Sequence, residues 1–319
     1  KLKVDHYLRI LDDTGVPSPM LEYISEFFQS LVRRNLSIGS LAQYFHGLNR
    51  FFLFFKSLDI NWLEFVDREH LGAFIEYLQD DNLMSSSING YLRSLYAIFG
   101  FLAEKNVISS DIMKNKFRLK MPDLLPKAID PDDIKLFLSV INTARERALI
   151  LVLLRTGMRI GELLGTKIID INFREKKIEI PQAYKNYEGR IVYMADDACS
   201  ALKIWLKERL PGKEYIFPGK DNREKLSYAM ARVLFIKYMQ KAGLSHKGYT
   251  LHCLRHTYAS ELLNAGMRLE CLQVLLGHQD IEMTRRYARL TDNTRKNEYF
   301  KAMEIIEKGE IDGHYRFDN

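Results

Sequence analysis

The chain reads as mainly α with a small antiparallel β-sheet, an N-terminal helical bundle followed by a C-terminal mixed α/β domain. Apolar residues recur at helical spacing from 18 to about 106 and again from 130 onward. β-Branched residues gather in three short runs, KIIDINF, KKIEIPQ and RIVYM, which read as neighbouring strands. Between the helical regions lies KNKFRLKMPDLLPKAIDP, with three prolines, five basic residues and no sustained periodicity. A length of 319 residues then divides naturally into two domains, each able to bury a core. The expected boundaries are 1–113 for the bundle, 114–130 for a basic linker, 131–291 for the second domain and 292–319 for a terminal helix and tail.

Four helices are expected between 18 and 106, with breaks at 35–37, 58–61 and 82–87 and about sixteen residues ahead of the first. Ser37 and Ser85 stand where N-caps belong, since a short hydroxyl side chain accepts from the unpaired N–H groups of a first turn. Behind them Leu41, Tyr44, Phe45 and Leu48, and Ile88, Leu92, Leu95 and Phe99, keep helical spacing. Phe51, Phe52, Phe54 and Phe55 continue the first of these faces, which makes them core rather than a platform for stacked bases. The linker suits a solvated connector and a basic tether to a phosphate backbone equally well.

Beyond it, Asp130 or Asp132 caps a helix running through Asn142, and a strongly apolar helix over 144–155 is ended by Gly157. Arg159 directly follows Thr156-Gly157-Met158, at the mouth of the helix that begins IGELL. The three strand runs are separated by the turn-like NFREK and KNYEG, which places Lys185 in the second hairpin. Helices resume over 196–210 and 227–242. TLHCLRHTYASELLNAG, MRLECLQVLLGHQD and IEMTRRYARL are three short helical pieces punctuated by Gly266 and Gly277. A last helical pattern over 292–308 is expected to pack in cis or on a neighbouring chain.

Forty-seven Lys and Arg against 41 Asp and Glu give a net charge of +6, a mild excess compatible with a polyanionic partner. The three cysteines, Cys199, Cys253 and Cys271, form no CxxC, so neither a disulfide framework nor a zinc ribbon is indicated and a reducing, cytoplasmic setting is expected. No apolar run approaches the ~20 residues of a membrane span. Asp5, Asp12 and Asp13 are out of place in a signal peptide.

Chemistry concentrates near the C-terminal end. His252 and Arg255, three apart, share a helix face, with His256 close to it, and His278 and Tyr287 follow in order. Singly, an Arg at a helix start is a cap or surface group, a His in an apolar helix a satisfied core group, and a Tyr near arginines a stacking partner. As an ordered set they suit phosphate chemistry. His252 and His256 could together face a zinc ion, but Cys253 stands where HExxH needs glutamate, and no metal is expected.

In sequence order, TGMRIGELL, LHCLRHTYAS, LLGH and TRRYARL resemble the four boxes of the tyrosine recombinases, or phage integrases. The resemblance spans most of the chain. It implies a SAM-like core-binding domain over 1–113 and a catalytic domain over 131–291, closing as a C-shaped clamp on duplex DNA. It implies Arg159, Lys185, His252, Arg255 and His278 as catalytic residues and Tyr287 as nucleophile. The family's catalytic lysine lies in a β-hairpin, as Lys185 does, although the glycine that often precedes it is missing and Lys167, Lys176 and Lys177 remain alternatives. Thr166, where leucine is common, touches packing rather than chemistry.

The implied activity is site-specific recombination through a 3′-phosphotyrosyl link, without nucleotide cofactor or metal. The implied partners are double-stranded DNA with paired sites and three further copies of the chain, a tetramer on DNA. Two arginines can each offer paired donors to phosphate oxygens, and cationic neighbours are expected to favour the ionised phenol. A type IB topoisomerase would share this chemistry without paired sites. A non-catalytic DNA-binding protein on the same scaffold would have lost one of these residues, and none is missing. With about sixteen residues ahead of the first expected helix, a separate arm-site-binding domain is not expected.

Overall fold

A computed structural model describes residues 2–58, 66–121, 125–181, 189–219, 224–278, 280–288, 299–300 and 303–304. The chain divides into two units, Lys1–Asp123 and Leu124–Asn319. Among its described residues the first holds helices and no strand: α1 (Leu2–Asp13), α2 (Ser18–Arg33), α3 (Ile38–Ser57), α4 (Arg68–Asp80) and α5 (Ser85–Glu104). Four of these match the expected helices, and α1 is additional. Its acidic residues obscure a short apolar stripe in which Val4 and Leu11 are buried and Tyr7 stacks on Phe45, with ring centroids 4.4 Å apart.

Ser37 caps α3 by accepting from the Ser40 N–H at 3.1 Å. Ser85 does not cap α5: Met84 holds the extended N-cap position, and Ser85 is the first helical residue. Phe51, Phe54 and Phe55 are buried core residues and Phe52 packs against them. Gly47 lets α3 approach α5, since a Cβ there would lie 2.8 Å from Ser94 Cβ. Within the linker stretch, the Phe117 N–H donates to Tyr96 Oη at 2.7 Å, and Leu119 and Asn89 exchange two hydrogen bonds of 2.9 Å, so these residues lie along α5.

The second unit is built on α7 (Ala144–Thr156), whose residues from Ala148 to Leu154 are all buried. Ahead of it, α6 (Pro131–Ser139) is capped by Asp130. It stops short of the expected Asn142 because Thr143 must be extended to cap α7. Gly157 closes α7 in the left-handed region at φ 61, which glycine reaches without a Cβ penalty. The chain turns at once into α8 (Ile160–Gly165).

β1 (Ile171–Asn172), β2 (Lys177–Ile180) and β3 (Arg190–Tyr193) form an antiparallel sheet in the order β1-β2-β3, with Ile178 opposite Ile171 and Val192. The remaining helices are α9 (Asp196–Glu208), α10 (Tyr228–Lys241), α11 (Leu251–Asn264), α12 (Leu269–Leu276) and α13 (Ile281–Ala288). α11 packs on α7, α12 and α13, which brings the C-terminal sequence boxes together. Among the described residues no helix is long and apolar enough to cross a membrane. The expected helix over 292–308 lies outside the described residues except at 299–300 and 303–304.

Candidate active site

Two helix C-termini create the centre of the site. α7 and α12 both end in left-handed glycines, Gly157 and Gly277, which leave carbonyls of the last turns without helical partners. Arg255, on α11, takes them: Nη1 donates to Gly157 O at 2.6 Å and Nη2 to Leu276 O at 2.6 Å. The guanidinium thus sits at the negative ends of two helix dipoles, which offsets part of the desolvation of a residue only 2% exposed. Burial, and then the charge of Arg159, push its pKa down to about 10, still well above neutrality.

Arg255 Nη2 also lies 3.1 Å from His278 Nε2. Arginine only donates, so Nε2 is the lone-pair nitrogen, and Nδ1 carries the hydrogen that goes to Thr284 Oγ1 at 2.9 Å. Burial and the nearby arginines hold His278 at a pKa of about 4, consistent with that neutral tautomer.

Arg159 holds the N-cap position of α8. Its Nη2 donates to Gly277 O at 3.3 Å and its Nη1 to Glu162 Oε1 at 3.0 Å. Glu162, 6% exposed, also accepts from the Arg159 backbone N–H at 2.8 Å and from Arg190 Nη1 and Nη2 at 2.9 and 2.6 Å. Burial pushes its carboxyl up, but the hydrogen bonds and charge of Arg190, joined by those of Arg159, hold it below the usual glutamate range. Arg190 Nε donates to Leu275 O at 3.0 Å, tying β3 to α12.

Sequence reasoning missed Glu162 and Arg190. Glu162 had a local signal, since a glutamate three residues after an N-cap is where a capping side chain belongs. Arg190 had none, because its partners are brought to it by tertiary folding.

Tyr287 is 3% exposed, with its ring parallel to that of His278 at 7° and 6.4 Å. Its hydroxyl is hydrogen-bonded to His256 Nδ1 at 2.8 Å. Burial raises its pKa; the charges of Arg255, Arg286 and Arg159 do favour the ionised phenol, as expected, but burial outweighs them. Burial, with His252 and Arg255 adding to it, likewise pushes His256 down to about 4. His252 is exposed, one turn from His256, with ring centroids 4.4 Å apart and edges to face.

The structure therefore gathers Arg159, His252, Arg255, His278 and Tyr287 in one unit. Lys185 lies in 182–188, outside the described residues. Of the alternative lysines, Lys167 pairs with Glu214 at 2.6 Å, Lys176 with Asp196 at 2.5 Å and Lys177 with Glu175 at 2.8 Å. The Tyr249 hydroxyl donates to Asp133 at 2.7 Å. Tyr258 is packed against Gly157, where an added Cβ would strike its ring. Among the described residues no three His, Cys, Asp or Glu side chains gather as metal ligands would.

Among the described residues of the cluster, the guanidiniums of Arg159, Arg190 and Arg255 face the single carboxylate of Glu162, which Arg159 and Arg190 bond directly, a formal excess of two positive charges. In a low-dielectric setting, such an excess favours an anion strongly.

Comparison with known proteins finds relatives of both units of the chain. Residues 127–294 match the model of the phage integrase family, and residues 24–106 match the phage integrase N-terminal SAM-like domain. The tyrosine recombinase XerA of Pyrococcus horikoshii is 30% identical over 231 residues, 72% of this chain and 78% of that one. XerD of Rickettsia bellii is 28% identical over 295 residues, 86% of this chain and 96% of that one. Among solved structures, XerH recombinase bound to a palindromic difH substrate superposes with a TM-score of 0.70 at 23% identity, covering 94% of this chain and 95% of that one. A lambda integrase dimer bound to a core site gives 0.68 at 20% identity, covering 83% and 94%. The chain belongs to the phage integrase family, the tyrosine recombinases, which are DNA strand-transferring enzymes.

Proposed function

We propose that this chain is a site-specific recombinase that cleaves and rejoins duplex DNA through a covalent 3′-phosphotyrosyl intermediate on Tyr287. The observation that carries this reading is a buried tyrosine hydroxyl within hydrogen-bond reach of an imidazole and within the electrostatic influence of Arg255 and Arg159. Transfer of a phosphodiester without metal needs a nucleophile, neutralisation of the non-bridging oxygens and an acid for the departing 5′-oxygen. Tyr287 is the nucleophile. Arg159 and Arg255 carry the oxygens, each with a planar fork of donors that a lysine cannot reproduce.

His278 joins them once an entering phosphate takes over the donor that Arg255 now directs to His278 Nε2, the ring hydrogen then sitting on Nε2 to donate to the phosphate while Nδ1 accepts from the Thr284 hydroxyl. His252, at the exposed side, donates to the same oxygens, and Lys185 supplies the proton to the 5′-oxygen. Glu162 and Arg190 hold Arg159 in place. Because the phosphotyrosyl ester retains the bond energy, no nucleotide cofactor enters.

The related XerH and lambda integrase structures contain DNA. Paired recombination sites, assembled by four copies of the chain, are the corresponding proposal here. Residues 1–113 are assigned to DNA binding, 114–130 to the linker and 131–291 to catalysis.

The test is to incubate the protein with fragmented DNA from its source, denature, recover protein-linked ends and sequence them. Ends that converge on one short sequence are expected. Random ends, together with relaxation of any supercoiled circle, would point to a topoisomerase instead.

A further inference from the structure

We infer that His256 takes the phenolic proton of Tyr287 as that oxygen attacks phosphorus, and returns it when the strand is rejoined. The inference rests on Tyr287 being the nucleophile and adds a catalytic residue to the proposed set.

The geometry is specific. His256 Nδ1 lies 2.8 Å from Tyr287 Oη. His252, exposed one turn away on α11, is assigned to the phosphate oxygens, and the remaining groups near that oxygen are unsuited to receive a proton. Arg159 and Arg255 have no lone pair to accept with. His278 lies parallel to the tyrosine ring and has both nitrogens committed, Nε2 to Arg255 and Nδ1 to Thr284. His256 is neutral in its buried setting, so its Nδ1 offers a lone pair when the hydrogen sits on Nε2. The phenol, whose pKa burial raises, arrives at the reaction still protonated and needs such an acceptor. Among the described residues the groups that act on His256 are His252 and Arg255 of α11 and Arg286 and Tyr287 of α13. The first, second and third of these disfavour its charged form, and an incoming phosphodiester offsets them.

The step balances. The Oη–P bond forms, and the Oη–H proton passes to Nδ1. The P–O5′ bond breaks with its electron pair on the 5′-oxygen, which is protonated by the acid of the proposed set, Lys185. On rejoining, a 5′-hydroxyl attacks phosphorus and the His256 imidazolium returns its proton to Oη.

The test is single-turnover formation of the covalent adduct on a nicked duplex bearing the sequence recovered from the protein-linked ends, from pH 5.5 to 9. The proteins compared are wild type, His256→Asn, His256→Ala and Tyr287→Phe. Asn keeps a hydrogen-bonding group near the Nδ1 position but cannot take a proton. Both His256 variants should bind the duplex as wild type does and form adduct about 100-fold more slowly at pH 7, the low end of the range for acid–base catalysis.

The pH profile separates chemistry from packing. Wild type should be nearly flat, because His256 is already deprotonated. The variants should accelerate about tenfold per pH unit, as hydroxide takes over the role. If His256→Ala does not fold, His256→Asn carries both readouts alone. A near wild-type rate for His256→Asn, or a loss of the same size at every pH, overturns the inference and leaves Tyr287 as nucleophile. Adduct from Tyr287→Phe overturns the nucleophile assignment and this inference with it.

Discussion

Arg255 remains charged in a nearly closed pocket because two helix ends and an imidazole receive its N–H groups, an arrangement that a buried guanidinium requires. The same enclosure sets the behaviour of the histidines. His278 and His256 have pKa values near 4 in the folded chain, against 6.5 ordinarily. Between those values the unfolded chain binds more protons, so folding stability rises with pH there and is lost as pH falls from 6.5 toward 4. The urea midpoint should therefore drop across that interval, and His278→Gln should flatten part of the slope. An unchanged slope would mean that His278 keeps its ordinary pKa in the folded chain.

At Lys185 the expectation concerns the leaving group. Replacing the bridging 5′-oxygen with sulfur gives a thiolate, whose conjugate acid has a pKa of about 8.5 and needs little help. Single-turnover cleavage by Lys185→Ala should be rescued by that substrate, and Arg159→Ala should not be, since its work is on the non-bridging oxygens. Rescue of Lys167→Ala, Lys176→Ala or Lys177→Ala instead would move the acid to that lysine.

Among the elements, the turn from α7 to α8 has the least latitude, because one glycine closes a helix, offers its carbonyl to Arg255 and lies under the Tyr258 ring. Gly157→Ala combines a left-handed backbone with that clash and should lower stability by about 2–4 kcal/mol, read from urea denaturation. A loss below ~1 kcal/mol would show that the turn can relax. The segment over 292–308 is proposed to dock on a neighbouring copy. A chain ending near Thr291 should keep single-protomer DNA binding and lose recombination of paired sites, and full recombination by it would assign the segment to cis packing or a dispensable tail.

Much of this architecture was legible locally. Apolar periodicity marked α2 to α5, the strand runs marked the sheet, and Thr156-Gly157 marked the end of α7. α1 was not, because its few apolar positions sit among acids, and the start of α5 was blurred by three consecutive serines, each acceptable as a cap. The site divides the same way. Spacing put His252, Arg255 and His256 on one helix, but the bonds of Arg190 to Glu162 and of His256 to Tyr287 join residues 28 and 31 apart, which no local pattern encodes.

For the whole molecule, a net charge of +6 is modest, yet two charges of excess lie at the buried cluster, where they act with least screening. Binding to duplex DNA should weaken steeply with salt, as displaced counterions require. The cluster should hold a single phosphate without help from a divalent ion. The most direct measurement is to form the covalent complex in excess chelator, trim the DNA with nuclease, digest with a glutamate-specific protease and locate the nucleotide by mass spectrometry. The peptide MTRRYARLTDNTRKNE should carry a phosphonucleotide on Tyr287. A nucleotide on Tyr249, Tyr258 or any other residue, or a complex that forms only when a metal ion is restored, would contradict transfer to Tyr287 by a metal-free arginine cluster.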